Sequence, residues 1–237
     1  MDALLKAEGM NTGYDQLQIL WDAALEVKAG ERVVVLGSNG AGKTTLLKSL
    51  VGLLPLWSGT VEFDGQPVHR LRIDGRVRRG MAYMSEVGII ADLSVEDNLR
   101  IGGYFSSREK LKSKMEAMFE EFPILKERRQ EAAASLSGGQ RKMLAAARAL
   151  MGDPKLLIMD EPSAGLSPLL VTEILNLVKS LEGRNIAFLI AEQNIKFLEV
   201  ATRVYVLDSG RMIFNGTVDE LQRNDAIRRA YFGVDAV

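Results

Sequence analysis

Gly37, Ser38, Asn39, Gly40, Ala41, Gly42, Lys43 and Thr44 are consecutive, and they place two glycines, a lysine and a hydroxyl at the spacing of a phosphate-binding loop. Glycines let the backbone wrap so that successive N–H groups point inward at phosphate oxygens. Lys43 supplies a positive point charge for β- and γ-phosphates, and the Thr44 hydroxyl is a ligand for Mg²⁺. The flanks suit the loop. Arg32–Leu36 is a short apolar run that predicts a buried strand, and Thr45–Val51 predicts a helix whose N-terminal dipole faces the loop.

Two later stretches carry complementary chemistry. Leu136, Ser137, Gly138, Gly139 and Gln140 precede an alanine-rich segment, Arg141–Met151. Ser137 is placed to cap that helix, while Gly138 and Gly139 leave its first N–H groups open to an anion. By itself such a serine–glycine run is only a loop signal. Leu156–Met159 is an apolar run ending in Asp160 and Glu161, so a buried strand delivers two carboxylates at its C-terminal end. Open α/β sheets bind their ligands at that end.

The elements that must position these residues alternate along the chain. Strand signals cover Leu25–Val27, Val33–Leu36, Thr60–Phe63, Gly80–Met84, Leu156–Met159, Ala187–Ala191, Val204–Leu207 and Met212–Phe214. Between about Ser94 and Met151 the pattern is helical. Ser94–Asp97 has the form of a helix cap, and Leu111, Met115, Met118 and Phe122 recur at helical spacing, as a core-facing stripe does. Lys126–Glu131 reads as a solvated helix end and His69 as a surface residue. The expected architecture is an α/β core of mostly parallel strands with a helical insertion. With 237 residues, 47% of them apolar, the chain can bury a substantial core. Thirty basic against thirty-one acidic residues leave no global field for nucleic acid, and the lack of cysteine rules out disulfides and thiolate metal sites. The N-terminus lacks a charged-then-apolar export pattern, and no apolar run approaches membrane-spanning length. Any membrane role is therefore expected to come through a partner.

The ordered combination of phosphate loop, Leu136–Gln140 and Leu156–Glu161 resembles the ATP-binding subunits of the ABC transporter superfamily, over about Tyr14 to Gly216. The resemblance implies a P-loop NTPase fold. It has a mostly parallel sheet, an antiparallel N-terminal β-subdomain and an inserted α-helical subdomain. It implies one domain over residues 1–237, with a core of about 1–93 and 152–237 and a helical subdomain of about 94–151. Tyr14 would stack on adenine, Gly37 through Thr45 would hold the triphosphate of ATP, and Asp160 would hold Mg²⁺ with Thr44. Glu161 would be the general base, with Lys43 and Gln193 as the other catalytic groups. Ser163–Ser167 would cross to a second ATPase subunit, identical or not, and Leu136–Gln140 would complete that partner's site.

Three positions depart from the commonest pattern of the superfamily. Glu86 stands where glutamine is usual and would reach the metal, Gln193 replaces histidine, and Ser167 replaces aspartate. Glu86 and Gln193 together resemble the second ATPase subunit of importers for branched-chain amino acids, urea and amides, as do Glu192–Asn194 and Arg229–Gly233. The segment 86–94 is one residue short of that pattern and lacks its arginine pair. This likeness implies ATP-driven solute import by a complex with integral-membrane permease subunits, gripped in a groove near Glu86 between core and helical block. It also implies an extracytoplasmic solute-binding protein, and a cytoplasmic position on the inner face of the membrane. The alternatives are a soluble, non-transport ATPase of the assembly or repair type, and a regulatory protein that binds ATP without turning it over. Repair relatives carry long coiled-coil insertions that this chain lacks.

Overall fold

The computed structural model describes residues 3–85 and 88–227. Chain order begins with β1 (Ala3–Tyr14), β2 (Leu17–Lys28), β3 (Arg32–Leu36), α1 (Lys43–Val51), β4 (Ser58–Phe63), β5 (Gln66–Pro67), α2 (Ile73–Arg78) and β6 (Met81–Met84). Helices α3 (Val95–Gly102), α4 (Arg108–Glu121), α5 (Pro123–Glu127) and α6 (Gly138–Leu150) follow. The remainder is β7 (Leu156–Asp160), α7 (Pro168–Ser180), β8 (Ala187–Glu192), β9 (Arg203–Asp208), β10 (Arg211–Gly216) and α8 (Val218–Arg223).

Two sheets result. One is antiparallel, in the order β2-β1-β4-β5; the other runs β10-β9-β3-β8-β7-β6 and is parallel from β9 to β6. Strands β3, β7 and β8 are buried on both faces, as central parallel strands must be. Their side chains alternate between two cores. Val33, Val35, Leu156, Ile158 and Leu189 pack toward α1 and the antiparallel sheet. Val34, Leu36, Leu157, Met159 and Ile190 pack toward α6 and α7. Adjacent strands thus end side by side, which brings the loops after β3, β8 and β7 to one edge of the sheet.

The helical segments start where their capping serines place them. Ser94 Oγ accepts from the Asp97 N–H at 3.0 Å, and Ser107 Oγ from the Lys110 N–H. Met115, Met118 and Phe122 are buried, as their spacing indicates. Arg76 is buried against the end of α1, where its guanidinium donates to the carbonyls of Ser49 and Leu50. A cation there complements the helix dipole and fixes the helix that carries the phosphate loop.

Three readings need correction. Strand β1 and the first half of β2 were not visible as strands, because Gly9, Asn11 and Gly13 interrupt the alternation and coincide with register shifts. His69 is half-buried, and its Nδ1 is enclosed without a hydrogen-bond partner among the described residues. Arg129 is not simply solvated: its guanidinium makes two bonds to Glu96 Oε2, at 2.8 and 3.0 Å, and lies over the Phe119 ring.

Candidate active site

The loop after β3 is shaped by contacts that only small residues permit. A Cβ on Gly37 would sit 2.6 Å from the Leu207 carbonyl oxygen on β9. Gly42 has φ 105° as it leads into α1, a conformation that a side chain resists. Lys43, only 3% exposed, folds back over the loop. Its Nζ donates to the Gly37 and Ser38 carbonyls at 2.9 and 3.0 Å, and pairs with Glu161 Oε1 at 3.0 Å.

The end of β7 meets this loop. Asp160 uses both carboxylate oxygens: Oδ1 accepts from Thr44 Oγ1 at 3.0 Å, and Oδ2 from the Tyr83 hydroxyl at 2.8 Å. Burial first, and then the Asp160 charge, raises the Tyr83 pKa far above its usual range, so the phenol stays a donor. The hydroxyl and carboxylate of Thr44 and Asp160 are hard oxygen donors. Among the described residues no cluster of three or more His, Cys, Asp or Glu could cage a metal by itself. This set fits Mg²⁺, which keeps water and substrate phosphates as its remaining ligands.

Glu161 sits one residue beyond the strand with φ 46°, left-handed backbone that a glutamate rarely adopts. Several contacts hold it there. Its N–H donates to the Ala191 carbonyl at 2.9 Å, and its own carbonyl accepts from the buried Lys142 ammonium at 3.0 Å. Lys142 lies on α6, so the helix that begins at Gly138 reaches the backbone of the carboxylate residue directly.

Ser137 and Gln140 form a complete capping box: Gln140 N–H donates to Ser137 Oγ at 3.3 Å, and Ser137 N–H donates to Gln140 Oε1 at 2.9 Å. Leu136 is buried and Ser137 is exposed. A Cβ on Gly139 would come within 2.5 Å of Leu170 on α7, whereas one on Gly138 would meet nothing within 4 Å. Among the described residues no hydrogen bond or ion pair joins Ser137–Gln140 to Gly37–Thr45.

Gln193 is exposed and follows β8, the strand between the one leading into the phosphate loop and the one ending in Asp160. Tyr14, 42% exposed, lines the same cavity as Thr44, Tyr83 and Asp160. That cavity, about 760 Å³ in all, includes an apolar groove between α2 and β6 on one side and α3 and α6 on the other. Glu86 and Arg229–Gly233 lie outside the described residues. Tyr83, Lys142 and Glu192 are site residues that the sequence did not single out for chemistry. Tyr83 could have been found only from strand register, because it pairs with Ile158, two residues before Asp160.

Comparison with known proteins agrees with this geometry. Residues 20–164 match the model of the ABC transporter family. The chain is 38% identical over 97% of its length to the high-affinity branched-chain amino acid transport ATP-binding protein BraG of Pseudomonas aeruginosa, covering 100% of that protein. It is 36% identical to the probable branched-chain amino acid transport ATP-binding protein LivF of Archaeoglobus fulgidus, over 98% of this chain and 99% of that one. Among solved structures, an ATP-binding cassette of an ABC transporter in its ADP conformation superposes with TM-score 0.83 at 27% identity, over 99% of this chain and 100% of that one.

Proposed function

Because this chain belongs to the ABC transporter family of ATP-binding proteins, we propose that it powers an importer of branched-chain amino acids or a related small solute. The observation that carries the ATPase part of this reading is the convergence of Lys43, Thr44, Asp160 and Glu161, linked pairwise at 3.0 Å between the segments that follow β3 and end β7. The likeness to BraG over 97% of the chain supports the solute class.

The residues divide the work as follows. Gly37 through Thr45 cradle the triphosphate with backbone N–H groups, and Tyr14 stacks on the base. Incoming phosphate displaces Glu161 from Lys43, because a triphosphate carries more negative charge than a single carboxylate. Thr44 and Asp160 would hold Mg²⁺, which would supply positive charge against the triphosphate. Tyr83 keeps Asp160 oriented toward it. The freed Glu161 carboxylate accepts a proton from water lined up for in-line attack, and the Gln193 amide holds that water in place. Glu86 would add an oxygen ligand near the metal.

The second half of each site comes from another ATPase subunit, identical or homologous. Exposed Ser137 and the bare Gly138 face outward at the start of α6, and no bond ties them to the chain's own phosphate loop among the described residues. The chain acts as one domain, 1–237, with a core of 1–93 and 152–237 and a helical subdomain of 94–151. Helices α3–α6 fall between β6 and β7, neighbours in the sheet, which supports that division. No helix among the described residues is long and apolar enough to cross a membrane. Exposed Tyr104, Phe105, Ile101 and Ile73 line the groove, which offers apolar contact to a short permease helix on the cytoplasmic face. An extracytoplasmic solute-binding protein completes the importer.

Co-expression with permease subunits tests this reading. The chain should sediment with them in membrane fractions, and reconstituted vesicles should take up leucine only with MgATP. A chain that stays in the supernatant beside a folded permease would contradict it.

A further inference from the structure

Glu192, the last residue of β8, is 2% exposed, and no cation pairs with it among the described residues. Backbone N–H groups supply its counter-charge instead. Oε1 accepts from the Ser163 N–H at 2.7 Å, and Oε2 accepts from the N–H groups of Gln193 and Asn194 at 3.0 and 3.1 Å. The Glu192 carbonyl also accepts from the Gly37 N–H at 3.2 Å. One residue thus touches three loops that leave adjacent strands: the phosphate loop after β3, the segment 163–167 after β7, and Gln193 after β8.

Burying a carboxylate is costly unless hydrogen bonds compensate it. Two of the three side-chain bonds go to the residues around Gln193 and the third crosses to another loop. The two oxygens belong to one rigid, planar group, so Ser163 and the N–H groups of Gln193 and Asn194 are bonded to the same carboxylate.

We infer that Glu192 is a positioning residue that yokes Gln193 to the loop 163–167, so that a displacement of that loop resets the group holding the attacking water. The inference rests on the reading of Gln193 and the loop 163–167 given above.

The test uses the full chain with Glu192→Gln, which keeps one acceptor oxygen and turns an NH₂ toward N–H donors. Hydrogen exchange without nucleotide should show the amides of Ser163 and Gln193 losing protection together. With MgATP, kcat should fall about tenfold or more, the scale of losing a charge-assisted bond, with little change in KM. Adding Gln193→Ala to Glu192→Gln should cause no further loss, because Gln193 is already misplaced. A folded Glu192→Gln variant with wild-type kcat, or losses that multiply in the double variant, would overturn the inference. If Glu192→Gln does not fold, Glu192→Asp serves the same comparison: its charge is kept, but its shorter arm cannot reach both loops. Wild-type sensitivity to Gln193→Ala is the control. A wild-type chain that does not hydrolyse MgATP, or is indifferent to Gln193→Ala, removes the reading beneath the inference as well.

Discussion

Lys43 Nζ lies 3.0 Å from Glu161 Oε1, so the ammonium proposed to bind phosphate and the carboxylate proposed to activate water are joined to each other. Lys43 is buried and Glu161 is one-third exposed, so the pair opens from the glutamate side. On the proposed reading, ATP binding and release of the base would be one event.

Glu161→Gln breaks this exchange. Turnover should fall by at least about a hundredfold, since the amide cannot accept the proton of water. ATP should bind at least as tightly as to wild type, because Lys43 no longer has a competing anion. Equilibrium titration with nucleotide, and MgATP-dependent dimer formation in size-exclusion chromatography, check both halves. Hydrolysis near the wild-type rate would remove Glu161 from its role.

Ser137→Arg should abolish ATP-driven dimerisation and leave nucleotide binding by the single chain intact. Ser137 is exposed at the start of α6 and makes no bond to the chain's own phosphate loop among the described residues. The pair of measurements is dimer formation and nucleotide affinity on the same preparation. Simultaneous loss of both in a folded variant would mean that Ser137 serves its own site.

Tyr83→Phe removes the 2.8 Å bond to Asp160 and little volume. The Mg²⁺ concentration for half-maximal hydrolysis should rise about tenfold, within the range for losing a group that orients a metal ligand. Nucleotide affinity measured without Mg²⁺ should hold. An unaltered Mg²⁺ dependence would show that Thr44 alone orients Asp160.

Tyr104→Asp places a charge in the apolar groove at a residue 78% exposed. Folding and ATP binding by the isolated chain should persist, while co-purification with permease subunits is lost. Retained co-purification would place the permease on another face.

The phosphate loop, the Asp160–Glu161 pair and the capping role of Ser137 were legible because each is local: the chemistry and the backbone requirement sit within a few residues. Central strands were legible because burial on both faces leaves continuous apolar runs such as Val33–Leu36. Strand β1 was not, since its pairing with β2 and β4 tolerates Gly9, Asn11 and Gly13 at bulges. Contacts between distant segments were also hidden. Lys142 reads as one of many helix-surface lysines, yet it is buried against the Glu161 carbonyl. Glu192 ends one apolar strand and Glu161 follows another, and only strand order and burial show that one is enclosed and the other reaches Lys43. Gln140 belongs to a motif associated with nucleotide, but its side-chain oxygen is engaged in its own helix cap.

In the proposed role of Glu161 as general base, its left-handed backbone, at φ 46°, sets catalysis against thermal endurance. Left-handed backbone costs a non-glycine residue about 1 kcal/mol or more, and glycine occupies it freely. An inactive Glu161→Gly chain should therefore melt no lower than wild type, despite losing its ion pair with Lys43. Selection for heat resistance alone would drift away from the working enzyme at this position. Screens for robust variants should accordingly require turnover at every round.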